Sequence, residues 1–150
     1  MNDQHGDLRE LYQEVIFDHN RHPRNFHAMS DASHTADGHN PLCGDQLTVY
    51  AQVADGVVQE ASFVGQGCAI STASASLMTE AVRGKTIAEV EALFRDMHIM
   101  LTEAHPDRDF GKLEVLSGVR EFPSRVKCAT LAWHTLHNAI TRAQDTARTE

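Results

Sequence analysis

The chain has 150 residues, enough for one domain spanning 1–150 that buries roughly 70% of its unfolded surface without disulfides. Its formal charge is −8, from 21 acidic and 13 basic residues, which disfavours nucleic acid as the main partner because phosphate binding needs a basic face. No apolar run approaches the ~20 residues that span a bilayer, and the polar start Met1-Asn2-Asp3-Gln4-His5-Gly6-Asp7 has neither the basic nor the apolar part of a secretory signal. An odd set of three widely spaced cysteines argues against a disulfide framework and for a reducing compartment. The expectation is a cytoplasmic protein with no membrane partner.

Asp7 to Asn20 reads as an amphipathic helix, with Leu8, Leu11, Tyr12, Val15 and Ile16 on one stripe and Asp7 with Glu10 resembling a capping box. Pro23 disfavours helix at His22. Arg24 to Asn40 is polar and loop-like, with room for one short strand ahead of Pro41. Gln46 to Val53 alternates with Leu47, Val49, Ala51 and Val53 on one face, Asp55-Gly56 is a two-residue hairpin turn, and Val57 to Val64 returns as the second strand.

After Gly65-Gln66-Gly67 an Ala- and Ser-rich helix is expected over about Ala69 to Arg83, stopped by Gly84. Thr86-Ile87-Ala88-Glu89 is a capping box that opens a helix carrying Ile87, Val90, Phe94, Met97 and Leu101. His105 to Gly118 reads as a loop with a short helix using Phe110, Leu113 and Leu116. Ser124, after Pro123, is the expected N-cap of the last long helix, whose stripe is Val126, Ala129, Leu136, Ala139, Ile140 and Ala143. This order defines an α+β class: a small antiparallel sheet of about three strands packed against several helices.

The chemistry lies in three phrases: Asn40-Pro41-Leu42-Cys43-Gly44-Asp45, Gly65-Gln66-Gly67-Cys68-Ala69-Ile70-Ser71 and Arg125-Val126-Lys127-Cys128-Ala129. Three thiolates and a carboxylate make a four-ligand set for a tetrahedral cation such as zinc. The hairpin brings the start of one strand, with Cys43 and Asp45, beside the end of its partner, with Cys68. Cys68 at a helix mouth and Cys128 in the first turn of another helix would both feel positive dipole ends, which favour thiolate. Lys127 and Arg125 flank Cys128 and can offset negative charge there. Asp45, harder and more exchangeable than a thiolate, suggests a site where one ligand leaves and a freed Cys43 thiolate becomes a nucleophile for persulfide exchange. The plainer alternatives are three small buried hydrophobes and a turn or cap aspartate. Of the ten histidines, His5, His19, His22, His27, His34 and His39 lie in polar stretches and are expected at the surface. His134 and His137, one helical turn apart, are expected to be exposed and not ligands.

These phrases, with Ala73-Ser74-Ala75-Ser76-Leu77-Met78-Thr79-Glu80, Leu11-Tyr12-Gln13-Glu14-Val15-Ile16 and His22-Pro23-Arg24-Asn25, resemble the SufU-type proteins of the IscU/NifU-N-like superfamily over nearly the whole chain. The resemblance implies a zinc-dependent sulfurtransferase of iron–sulfur cluster biogenesis that takes persulfide sulfur from a SufS-type cysteine desulfurase and passes it toward downstream assembly proteins. It implies Cys43, Asp45, Cys68 and Cys128 as zinc ligands. Cys43 would be the sulfur acceptor, freed when a histidine of the desulfurase replaces it on the metal, and Arg125 a docking residue. The alternative is a scaffold that assembles a [2Fe–2S] cluster, with iron in place of zinc, on the same ligands. Lys127, where scaffolds usually carry a histidine, and the long stretch from Gly84 to Pro123 favour sulfur transfer.

Overall fold

The computed structural model describes residues 3–41, 44–141 and 147–148, with side chains from residue 11 to 141 within those ranges. Helix α1 spans Asp3–Arg21, followed by strands β1 (His34–Asn40), β2 (Asp45–Ala54) and β3 (Val57–Gln66). Helices α2 (Ala69–Val82) and α3 (Ile87–Thr102), a 3-10 segment Gly111–Glu121, helix α4 (Pro123–Ile140) and a two-residue strand β4 (Ala147–Arg148) complete the order. The sheet runs β3-β2-β1-β4, antiparallel among the first three, with β4 parallel to β1. This is the expected α+β architecture with one short edge strand added. No helix among the described residues is long and apolar enough to cross a membrane.

The β2–β3 hairpin follows directly from its turn. Asp55 and Gly56 have φ of 56° and 73°, the left-handed pair a two-residue hairpin turn demands, and Ala54 pairs with Val57 across it. That register sets Leu47, Val49 and Ala51 against Gly65, Phe63 and Ala61, all buried except Gly65 at the open end of the hairpin. β1 was masked in the sequence by polarity. Its inward positions are only Ala36, Gly38 and Asn40, a period-2 pattern with almost no hydrophobic signal. They are small because α4 lies directly on them: a Cβ at Gly38 would overlap Thr135 Oγ1 and meet Leu131 Cδ1 at 3.2 Å.

Helix α2 is buried through Ser71, Ser74, Ser76 and Thr79 as well as its apolar residues, and the Ser74, Ser76 and Thr79 hydroxyls are hydrogen-bonded within the core. Ser74 Oγ donates to the Ala129 carbonyl at 2.7 Å and accepts the Trp133 indole N–H at 3.1 Å, which ties α2 to α4. Leu131, Trp133 and Leu136 fill the space beneath the sheet. Capping agrees with expectation at α3, where Thr86 and Glu89 form both bonds of a capping box. It differs at α4. Pro123 takes the first helical position, Phe122 is the cap residue without a side-chain bond, and Ser124 lies inside the helix.

Other expectations are corrected by tertiary contacts. α1 begins at Asp3, upstream of Asp7, so Asp7 is not its cap, and Leu11 is 52% exposed while Ile16 is buried. Leu8 and Ala143 lie outside the described side chains. The short helix expected within 105–118 is an eleven-residue 3-10 segment that continues to Glu121, and it buries Val115 and Val119 as well as the expected Leu113 and Leu116. His19, expected at the surface, is 1% exposed: its Nδ1 lies 2.7 Å from Ser76 Oγ, which also accepts the Arg24 N–H at 2.9 Å. His134 and His137 are half-buried, packed on Phe94 of α3.

Two outcomes follow. Gly38→Ala should destabilise the protein by about 1–3 kcal/mol in urea unfolding, the usual cost of overpacking. Burial, with the charges of Arg24 and Lys112, holds His19 protonation below the ordinary histidine range. The unfolded chain therefore binds a proton that the folded chain refuses, and stability present above pH ~6.5 is lost as pH falls through the folded value. His19→Gln should flatten the decline of the thermal midpoint across that window.

Candidate metal centre

Three sequence-distant elements converge at one end of the sheet. Asp45 is the first residue of β2, and because Gln46 pairs with Gln66 the chain leaving β3 passes beside it. Cys68 is the N-cap of α2, and its Sγ accepts the Ser71 N–H at 3.4 Å. Cys128 lies on α4, which covers β1 and β2 from the buried side. One ligand atom from each of Asp45, Cys68 and Cys128 lies within 4.8 Å of the others. Donors around one tetrahedral zinc sit about 3.5–3.8 Å apart for bond lengths of about 2.0–2.3 Å, so small side-chain movements bring the three onto one ion.

Asp45 provides the test of fit. It is 1% exposed, and its Oδ1 accepts the Cys68 N–H at 2.9 Å. Its other oxygen, Oδ2, is buried with no hydrogen-bond partner, and no described Lys or Arg forms an ion pair with it. A buried carboxylate in that position carries an uncompensated cost that a cation between it and two sulfurs removes. The donor set, two sulfurs and one carboxylate oxygen, suits zinc or iron far better than magnesium or calcium.

Gly67 makes the approach possible. A Cβ there would lie 2.7 Å from Asp45 Oδ1 and 3.1 Å from Ser71 Oγ. Ser71 itself, buried and donating its N–H to Cys68, was quoted in the sequence phrase but given no part; its position three residues after an N-cap was the available signal. Cys128 differs from expectation. α4 starts at Pro123, so Cys128 falls in its second turn, fully buried, with its Sγ 3.6 Å from the Ser124 carbonyl. The helix dipole acts mainly within the first turn and contributes little at Cys128. Arg125 is exposed on that first turn, and Lys127 is half-buried. Cys43 lies outside the described residues. Its neighbours frame it: Asn40, fully buried, pairs with Asp45, and the Gly44 N–H bonds the Asn40 carbonyl at 2.9 Å.

Residues 11–148 match the NifU-like N terminal domain, and the chain belongs to that family, whose SufU and IscU members are iron–sulfur cluster assembly proteins. Within it the chain is similar to the zinc-dependent sulfurtransferase SufU of Bacillus subtilis, 40% identical over 93% of this chain and 95% of that one. It is also similar to the iron–sulfur cluster assembly scaffold protein IscU of Streptococcus pyogenes, 39% identical over 91% and 86% of the two chains. A solved structure of a putative iron–sulfur cluster assembly scaffold protein for the SUF system, from Fervidobacterium islandicum, superposes with a TM-score of 0.80 at 30% identity, covering 85% of this chain and 94% of that one.

Gly67→Ala should push the Asp45 carboxylate out of place. The expected result is release of bound metal to a chromophoric chelator at least ~10-fold faster than from the wild type, the scale on which support of a metal ligand matters, with the far-ultraviolet spectrum unchanged.

Proposed function

We propose that this protein is a zinc-dependent sulfurtransferase of iron–sulfur cluster biogenesis, with Cys43, Asp45, Cys68 and Cys128 as the metal ligands and Cys43 as the sulfur acceptor. The observation that carries the reading is the buried Asp45 carboxylate: one oxygen is fixed by the Cys68 N–H, the other is without a partner, and a carboxylate oxygen lies within 4.8 Å of two cysteine sulfurs. Zinc in that position would keep its cysteine ligands deprotonated at neutral pH, the form in which sulfur is nucleophilic.

The protein's own residues then divide the work. Asp45, Cys68 and Cys128 stand on a strand, a helix cap and a buried helix turn, so these three of the four ligands form the fixed part of the site. Cys43 belongs to the connection between β1 and β2. Its thiolate attacks the terminal sulfur of a persulfide on the partner's cysteine. A new S–S bond forms on Cys43 as the partner's S–S bond breaks, and the partner's cysteine leaves as a thiolate. One sulfur atom moves and no external oxidant or reductant is consumed. Arg125, exposed on the first turn of α4, would be the docking residue for a SufS-type cysteine desulfurase, its guanidinium open to a carboxylate of that partner.

A second reading, a scaffold that holds a [2Fe–2S] cluster on the same ligands, draws on the similarity to IscU scaffold proteins. Two measurements separate the readings. After incubation with a SufS-type desulfurase and cysteine, mass spectrometry should find one added sulfur on the Cys43 peptide, absent in Cys43→Ser, and desulfurase turnover should rise. Anaerobic reconstitution with iron and sulfide should leave the protein colourless. A stable visible chromophore with no sulfur on Cys43 would falsify sulfur transfer and favour the scaffold.

A further inference from the structure

Helices α3 and α4 gather three of the chain's ten histidines around one phenylalanine. Phe94 stacks on His137 with centroids 4.6 Å apart and rings 10° from parallel, and meets His134 edge-on at 5.3 Å. One turn further along α3, His98 meets His134 edge-on across the helix pair, with centroids 5.7 Å apart and planes 73° apart. His98 is exposed, and His134 and His137 are half-buried. No described residue hydrogen-bonds to the ring nitrogens of these three histidines, and His137 Nδ1 is buried without a partner.

We propose that His98 and His134 form a second, open cation site across the α3–α4 groove, selective for borderline transition metals such as zinc or nickel and separate from the cysteine centre. Distance supports it. Two imidazoles on one ion, each bonded at about 2.0–2.1 Å with a near-tetrahedral angle, have ring centroids about 5 Å apart. The observed 5.7 Å is closed by a rotation of His98, which is exposed and holds only a loose stacked contact with Phe94, centroids 6.4 Å apart. Availability supports it too. Burial, with His98 and His137 as neighbours of like charge, keeps His134 protonation below the ordinary range, so its ring is neutral and offers a lone pair at neutral pH.

The chemistry of the donors sets the character of the site. Imidazole nitrogens take zinc, nickel or copper and reject calcium and magnesium. Only two side chains contribute, so the remaining positions stay with water or a partner's donor. Neither ring has the hydrogen-bonded support that tightens a resident metal site. The ion held here is therefore exchangeable, bound at the surface and lost on dilution.

The test uses nickel as the probe on isotopically labelled full-length protein. Backbone amides around His98 on α3 and His134 on α4 should broaden first as Ni²⁺ is added. His98→Gln, a surface change that keeps the fold, should weaken that response by more than about tenfold, the loss that even an outer-shell partner produces. His134→Gln should do the same, and neither variant should change the metal retained at Cys68 and Cys128. Broadening spread over the other histidines, or a response at α3 and α4 that His98→Gln leaves intact, overturns the proposal.

Discussion

The hydrogen bond from the Cys68 amide to Asp45 Oδ1 organises this end of the molecule. It spans 23 residues of sequence and joins the first residue of β2 to the cap of α2. A carboxylate that is 1% exposed needs compensation for both oxygens, and the protein supplies a partner for one. Ser62 Oγ is also buried without a partner, but an uncompensated carboxylate oxygen costs more than an uncompensated hydroxyl. Ser74, Ser76 and Thr79, all buried, each have hydroxyl partners. A buried carboxylate with one unpaired oxygen, close to two cysteine sulfurs, is a place suited to positive charge.

That place is built by ordinary means. A left-handed Asp-Gly turn fixes the hairpin register, and the register puts Gln46 opposite Gln66. Removal of every side-chain atom at Gly67 lets the chain run against Asp45. Removal at Gly38 lets α4 sit close on β1, so Cys128 reaches the site from below. Two small residues thus convert three separate elements into one cluster of donors. The same close packing of α4 has a second consequence on its far side, where His134 and His137 are drawn against α3.

Much of this was legible in the sequence because the signals were local. The Asp55-Gly56 turn, the Thr86–Glu89 capping box and the alternation of Leu47, Val49 and Ala51 each depend on residues a few positions apart. The convergence of Asp45 and Cys68 was legible for the same reason, since a hairpin turns a local turn into a long-range contact. What was not legible was set by contacts between elements. β1 carries Ala36, Gly38 and Asn40 inward, a pattern that shows no apolar periodicity until α4 is placed on it. His19 reads as polar until Ser76 and the Arg24 amide are seen around it. Leu11 has core spacing but faces outward, and Cys128 is two residues deeper in α4 than Ser124 as a cap would have put it.

The central claim is that one cation joins Asp45, Cys68 and Cys128, with Cys43 completing its coordination. X-ray absorption at the zinc edge of the protein, purified without chelators and without its partner, tests that most directly. The account predicts bound zinc with a shell of three sulfurs at about 2.3 Å and one oxygen at about 2.0 Å. A protein that holds no transition metal and takes none up, or a zinc shell dominated by imidazole with no sulfur, would contradict it.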